Sequence, residues 1–266
     1  MTTRLSFAAR TLAVTLTAGA ALGLAGCGNE NSGPGFANSN TGGVTYADEA
    51  LSKDDIMQVA YAAAMKAKTT HIDMKMSGKA SLTAKGDVMY GARKPTMSMS
   101  MTMPQLGKGK IEMRFVGGIL YMQIPQMTPP GKFLAIDPQD RTSPLAKSFA
   151  GTTDQMDPLK AIKAMESAVQ SAERVGKQTL GGVTVEHYKL DVDTSALVKG
   201  MDPAVAKQAN LPDTLTYDLW LDEQHRIRRT SFEMSGVNFE ATMSKWGKPV
   251  KVQRPSADQI VGLPQA

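Results

Sequence analysis

Along most of this chain apolar and polar residues alternate with a period of two. The sharpest case is Met97 to Met103, where methionine takes every second position and Ser98, Ser100 and Thr102 stand between. Successive side chains of a β-strand point to opposite faces. The run therefore puts four thioethers on one face and three hydroxyls on the other, whereas a helix would scatter the methionines around its circumference. The same period runs through Thr70, Ile72, Met74 and Met76, interleaved with His71, Asp73, Lys75 and Ser77 until Gly78 breaks it. Ala80 to Tyr90 makes a weaker strand interrupted by Gly86. Ile111, Met113 and Phe115 alternate with Glu112 and Arg114, and Gly117-Gly118 signals a two-residue hairpin into Leu120, Met122 and Ile124.

The second half returns to this period. In Val183 to Val192 the apolar parity changes from Val183 and Val185 to Tyr188, Leu190 and Val192, which predicts a bulge near Glu186–His187. Leu215, Tyr217, Leu219 and Leu221 alternate with Thr214, Thr216, Asp218 and Trp220. A turn at Asp222 to His225 returns the chain through Arg226 to Met234, and Gly236 turns it into Val237, Phe239, Ala241 and Met243. Pro249 to Val252 predicts an edge strand, and Pro255 onward a final turn of helix.

Helical spacing occupies the places between. Ser52-Lys53-Asp54-Asp55 resembles a capping box, and Ile56, Val59, Ala60, Ala63 and Ala67 predict a helix to about Lys68. Its mostly alanine stripe suits close packing on a sheet. Asp157-Pro158 opens a second helix, with Leu159, Ile162, Met165, Val169 and Ala172 on one stripe, ending near Gly176. Asp202-Pro203 opens a short one to about Ala209. Between them, Thr128 to Ala150 holds four prolines and little periodicity, and reads as a lid or binding loop. Roughly ten meander strands with segregated helices make an α+β fold. The expected form is a strongly curved antiparallel β-sheet with helices packed on its inner, concave face.

The amino terminus adds a location. Arg4 and Arg10 precede an apolar run from Thr11 to Leu24, the layout of an export signal over residues 1–26. Leu24-Ala25-Gly26-Cys27 resembles a bacterial lipobox, which implies acylation of Cys27, the only cysteine. Two or three acyl chains make a stable anchor in the cell membrane, on its extracytoplasmic face. Residues 27–50, rich in Gly, Asn and Ser, read as a tether reaching roughly 25 Å, and residues 51–266 as the folded body. The net charge of +5 falls to about +3 without the signal, and no dense basic block marks a nucleic-acid partner.

The chemical inventory is thin. His71, His187 and His225 are widely separated, and H-E-x-x-H, G-x-S-x-G, S-x-x-K, the P-loop and the dinucleotide glycine motif do not occur. The chain reads as a non-enzyme without a cofactor. The methionine face allows three readings. It can be a sheet core beneath the helices, a cavity for flexible apolar ligands, or a soft-metal site, since thioethers select Cu(I). The candidate lipid-lining set is Met74, Met76, Met97, Met99, Met101, Met103, Met113, Phe115, Tyr217, Leu219, Leu221 and Phe239. Arg226 and Arg228 share a face, either a solvated strand surface or a contact for anionic headgroups.

A lipobox, a tether, a helix at Ser52–Lys68, and Tyr217-Asp218-Leu219-Trp220-Leu221-Asp222 followed by Arg226-Ile227-Arg228-Arg229 together resemble the actinobacterial LppX/LprA/LprF/LprG lipoproteins. The resemblance spans about residues 50 to 255. It implies a half-barrel similar to LolA and LolB, with helices over the concave side, and carriage of a lipid or glycolipid across the envelope, with an envelope transporter as a partner. The main alternative is a sensory lipoprotein with a regulatory protein partner, because a similar half-barrel occurs in RseB-like proteins.

Overall fold

The computed structural model describes residues 50–262 apart from 80, 91–94, 107–108, 126, 141, 144–145, 147–164 and 198–210. Within them, one helix, α1 (Ile56–Ala67), precedes β1 (Thr69–Gly78), β2 (Leu82–Met89), β3 (Thr96–Thr102), β4 (Ile111–Val116), β5 (Ile119–Gln123) and β6 (Phe133–Ile136). The chain then forms β7 (Val169–Leu180), β8 (Val183–Asp193), a single turn α2 (Thr194–Leu197), β9 (Thr214–Asp222), β10 (Ile227–Met234), β11 (Val237–Ser244) and β12 (Ile260–Val261). All twelve strands belong to one curved sheet in the order β12-β6-β5-β4-β3-β2-β1-β11-β10-β9-β8-β7. The sheet is unclosed, with β7 and β12 at its edges. It holds more strands than the roughly ten that alternation predicts.

Local chemistry accounts for the main turns. Gly117 and Gly118 both have positive φ, 64° and 88°, the conformation a two-residue hairpin needs to match strand twist. The α1 helix starts a turn later than the capping signature. Ser52 Oγ donates to Asp55 Oδ2 at 2.6 Å in the preceding turn, and the helix ends at Lys68, in the left-handed region with its N–H on Ala64 O. Its buried stripe is Ile56, Met57, Ala60 and Ala64, turned slightly from the expected one.

Four expectations need correction. The helix expected to end near Gly176 ends at Ala168, and β7 begins at Val169. Val169 and Ala172 fit both periods, and pairing with β8 along the whole strand decides for β. The segment read as a lid contains β6, where Phe133-Leu134-Ala135-Ile136 is a short apolar run that four prolines around it obscure. Pro249 to Val252 is not a strand; the edge is Ile260–Val261, parallel to β6 after a capped turn at Ala257–Gln259. The bulge lies on β7 rather than β8: the register shifts between Arg174 and Gly176, and β8 pairs β9 without a break. The parity change in β8 is a change of buried face, since Val185 and His187 are buried on one side and Tyr188, Leu190 and Val192 on the other. The helix expected at Asp202 to Ala209 lies outside the described residues, as do the signal segment and all of the tether but residue 50.

Cross-strand partners share a face, so the register can be followed sideways across strands. One row runs Leu134, Met122, Met113, Met99, Gly86, Ile72 and Met243. Gly86 is the small member of that row for a steric reason. A Cβ there would lie 1.9 Å from Ser98 O and 2.6 Å from Met99 Sδ. We expect Gly86→Ala to cost about 2–3 kcal/mol, a fall in melting temperature of roughly 4–12 °C for a body of this size. An unchanged thermal midpoint contradicts this packing.

Candidate functional site

The candidate site is the apolar face of the sheet. Two further rows cross it. Ala172, Leu190, Tyr217, Phe232, Phe239, Met76 and Leu82 form one. Tyr188, Leu219, Thr230, Ala241, Met74, Ala84, Met101 and Ile111 form the other. Every one of the twelve candidate lining residues falls on this face or in its apolar cluster. Met76, Met99, Met101, Met103, Met113, Phe115, Tyr217, Leu219, Leu221 and Phe239 are buried, and Met74 and Met97 are half-buried against them. The same cluster takes in Ile56, Met57, Ala60 and Ala64 of α1, and Met165 and Ala168 before β7.

Side chains that sequence reasoning left out complete the face. Phe232 sits between Tyr217 and Phe239, with ring centroids 4.8 Å and 4.9 Å away, in the favourable range for aromatic pairs. Its alternation in the return strand was the available signal, masked by the basic residues before it. Trp246, past the end of β11, donates from Nε1 to Ile227 O at 3.1 Å and stacks on Tyr90 at 6.0 Å.

One corner of this face is polar. Arg174, opposite Tyr188 at the edge strand, donates from Nη2 to Glu186 Oε1 at 2.6 Å. The Tyr188 hydroxyl donates to Glu186 Oε2 at 2.9 Å and accepts from the Leu51 N–H at 3.2 Å. Burial raises the Tyr188 hydroxyl above its ordinary range. Burial also pushes the Tyr217 hydroxyl up to about 12.

The opposite face carries hydroxyls and paired charges. Ser98, Ser100 and Thr102 are half-buried there, and Ser100 Oγ donates to Glu112 Oε1 at 2.7 Å. Arg226 and Arg228 converge on the buried Asp222 carboxylate, at 2.9 Å from Nε and 3.9 Å from Nη1, so one of their two charges is offset within the protein. His187 lies between Asp218 at 2.6 Å and Gln178 at 3.2 Å, and stacks on Trp220 at 4.4 Å. Trp220 Nε1 donates to Gln178 Oε1, which leaves the Gln178 amide to donate to His187 Nδ1 and makes Nε2 the protonated nitrogen. His71 pairs with Asp87 at 2.7 Å, and His225 sits in the β9–β10 turn with φ 57°.

This chain belongs to the LppX_LprAFG lipoprotein family, whose model matches residues 52–252. Two solved structures are similar. LprF from Mycobacterium bovis is 15% identical with a TM-score of 0.52, over 77% of this chain and 97% of that one. The lipoprotein LppX from Mycobacterium tuberculosis is 15% identical with a TM-score of 0.54, over 76% of this chain and 98% of that one. At that identity the likeness shows the fold. No curated protein matches the chain by sequence. Among the described residues no helix is long and apolar enough to cross a membrane.

The two faces have different energetic weight. Met122→Ala, at a fully buried position, is expected to cost about 2–5 kcal/mol. Ser98→Ala should stay within about 0.5 kcal/mol of the parent. Equal losses in denaturant unfolding would contradict the assignment of faces. Tyr217 makes a further test. Its neutral form is favoured by folding, so its contribution is intact below the unfolded value of 10.0 and is lost as pH rises through about 12. Tyr217→Phe should therefore keep more of its stability across that window than the parent, measured by alkaline unfolding. Parallel curves would contradict the burial of the phenol.

Proposed function

We propose that this protein is a non-catalytic lipoprotein, anchored through an acylated Cys27 on the extracytoplasmic face of the cell membrane. It binds lipid or lipoglycan acyl chains on the concave methionine face beneath its helices and carries them across the envelope. The observation that supports this best is the set of seven methionines, Met74, Met76, Met97, Met99, Met101, Met103 and Met113, gathered on one face and in its cluster, with Met74 and Met97 only half-buried. Thioethers on unbranched, polarizable side chains adapt to chains of varying shape. An acyl chain of about 16 carbons gains roughly 12 kcal/mol on leaving water, so an apolar face needs few polar contacts to hold one. Membership in a lipoprotein family supports the same reading. The residues between Cys27 and Leu51 serve as a tether that keeps the body near its donor membrane.

Native mass spectrometry of the full chain, purified in detergent from an actinobacterial host, is the direct test. We expect a co-purified lipid adduct, and Met74→Glu should reduce its occupancy about tenfold, because a carboxylate on an apolar face must be desolvated or displace the chain. A folded protein without any lipid adduct, bound instead to an envelope protein, would overturn the carrier reading in favour of a sensor. Cys27→Ala should move the protein from the membrane pellet to the soluble fraction, and continued pelleting would contradict the anchor.

A further inference from the structure

We infer that Met74 and Met97 are sites of oxidative modification, and that a two-electron oxygen donor such as hypochlorous acid closes the methionine face to lipid by converting them to sulfoxides; this rests on the lipid-carrier reading above.

Access singles out these two sulfurs. Met76, Met99, Met101, Met103, Met113 and Met122 keep at most 8% of their surface exposed. Met74 and Met97 share their face and cluster but are only half-buried. The register gives the reason. Met74 stands between Ala84 on β2 and Ala241 on β11, whose methyl groups are too short to cover a thioether from the side. Met97 is the first residue of β3 on this face, so it has a neighbour along its own strand, Met99, on one side only. An oxidant in solution therefore reaches these two before the buried six, since susceptibility follows exposure.

The surroundings decide what the added oxygen does. In the balanced step sulfur gives two electrons to hypochlorous acid: an S–O bond forms, the O–Cl bond breaks, and chloride and a proton leave. The product is a polar side chain in an apolar setting. Around Met74 lie Ile72, Met76, Ala84 and Ala241, and around Met97 lie Val88, Met99 and Phe115. None of these neighbours carries a hydrogen-bond donor in its side chain. Thr70 and Thr230, the threonines paired into this face, stand a strand further off, behind Val88 and Ala241. The Thr70 hydroxyl is in any case committed to Ser244 O. A sulfoxide at either position keeps its hydration only while water covers the face, and an acyl chain laid over it would strip that water without a substitute. A bound lipid covers both sulfurs, so the reaction falls on the unloaded carrier and bars the next lipid. Met127 is 39% exposed and Met65 and Met234 are half-buried, so they take oxygen as well and serve as internal comparisons.

The test treats the detergent-purified full chain with a low dose of hypochlorous acid, quenches with free methionine, and offers a dipalmitoyl phospholipid biotinylated on its headgroup. Streptavidin separates the chains that took the lipid from those that did not, and peptide mapping counts sulfoxides in each fraction. Sulfoxides at Met74 and Met97 should be enriched about tenfold among the chains left behind, while that at Met127 divides evenly. At a dose that oxidises both sulfurs, the parent's loading should fall about tenfold against its own untreated half. A variant carrying Met74→Leu and Met97→Leu, close in volume and without sulfur there, should stay near its own untreated half. Even division of the two sulfoxides, enrichment greater at Met65 or Met234, or no oxygen on Met74 and Met97 at a dose that oxidises Met127 overturns the inference and leaves the carrier reading standing. An equal loss of loading in the variant overturns it too, and if the untreated variant takes no lipid, the sorting of the parent's sulfoxides decides alone. An untreated parent that takes no lipid fails the carrier reading, and the inference fails with it.

Discussion

One antiparallel pairing holds the two halves of the sheet to a single apolar face. Strand β1 meets β11 from His71–Ser244 to Gly78–Val237, and apart from the short parallel pairing of β12 on β6 the strands on either side pair with their neighbours in sequence. The β1 to β6 meander grows outward in one direction and the β7 to β11 meander returns from the other. Because side chains alternate, a slip of one residue at this seam would send Met74 and Met76 to the hydroxyl face while their neighbours stayed put. The seam is defended by burial on one side, where Ile72, Met76, Phe239, Ala241 and Met243 are all buried, and by the Thr70 hydroxyl on Ser244 O at 3.1 Å. It is also a contact between distant parts of the chain, so its loop-closure cost must be met by the apolar surface it brings together.

Much of this was legible in the residues. The alternation at Met97 to Met103 names both the strand and its buried side, and the twelve side chains picked out by parity do fall together. The hairpin at Gly117-Gly118 was legible because positive φ narrows the choice of residue. What escaped has a common cause, namely pairing that overrides local pattern. β7 is polar and charged along an edge, so it offers no alternation to read, and only its bonds to β8 make it a strand. Four residues of β6 are too few to outweigh the prolines around them. The polar corner was invisible because Arg174 stood inside a supposed helix, while Glu186 stood at a supposed bulge and Tyr188 in the apolar alternation after it. Only the true register of β7 on β8 sets them side by side.

The division of labour between the two faces follows from the same geometry. Hydroxyls, ion pairs and the His187–Trp220 stack occupy the side where partners can be small, local and solvated. Methionine recurs on the other side, where the adaptable thioether would suit a surface that packs in more than one way. A face built from valine and isoleucine would pack more uniquely and adapt less. Family membership fits this economy of chemistry, in which the described residues offer an apolar surface and a charged corner.

The central claim is that lipid chains lie on the methionine face. The most direct measurement loads the full chain with a phospholipid carrying a diazirine in its acyl chain, crosslinks it by light and maps the adducts by peptide sequencing. The account predicts label on Met74, Met97 and their neighbours in β1, β3 and β9. Label confined to the hydroxyl face, around Ser98, Ser100 and Thr102, or no light-dependent label in a folded protein, would contradict it.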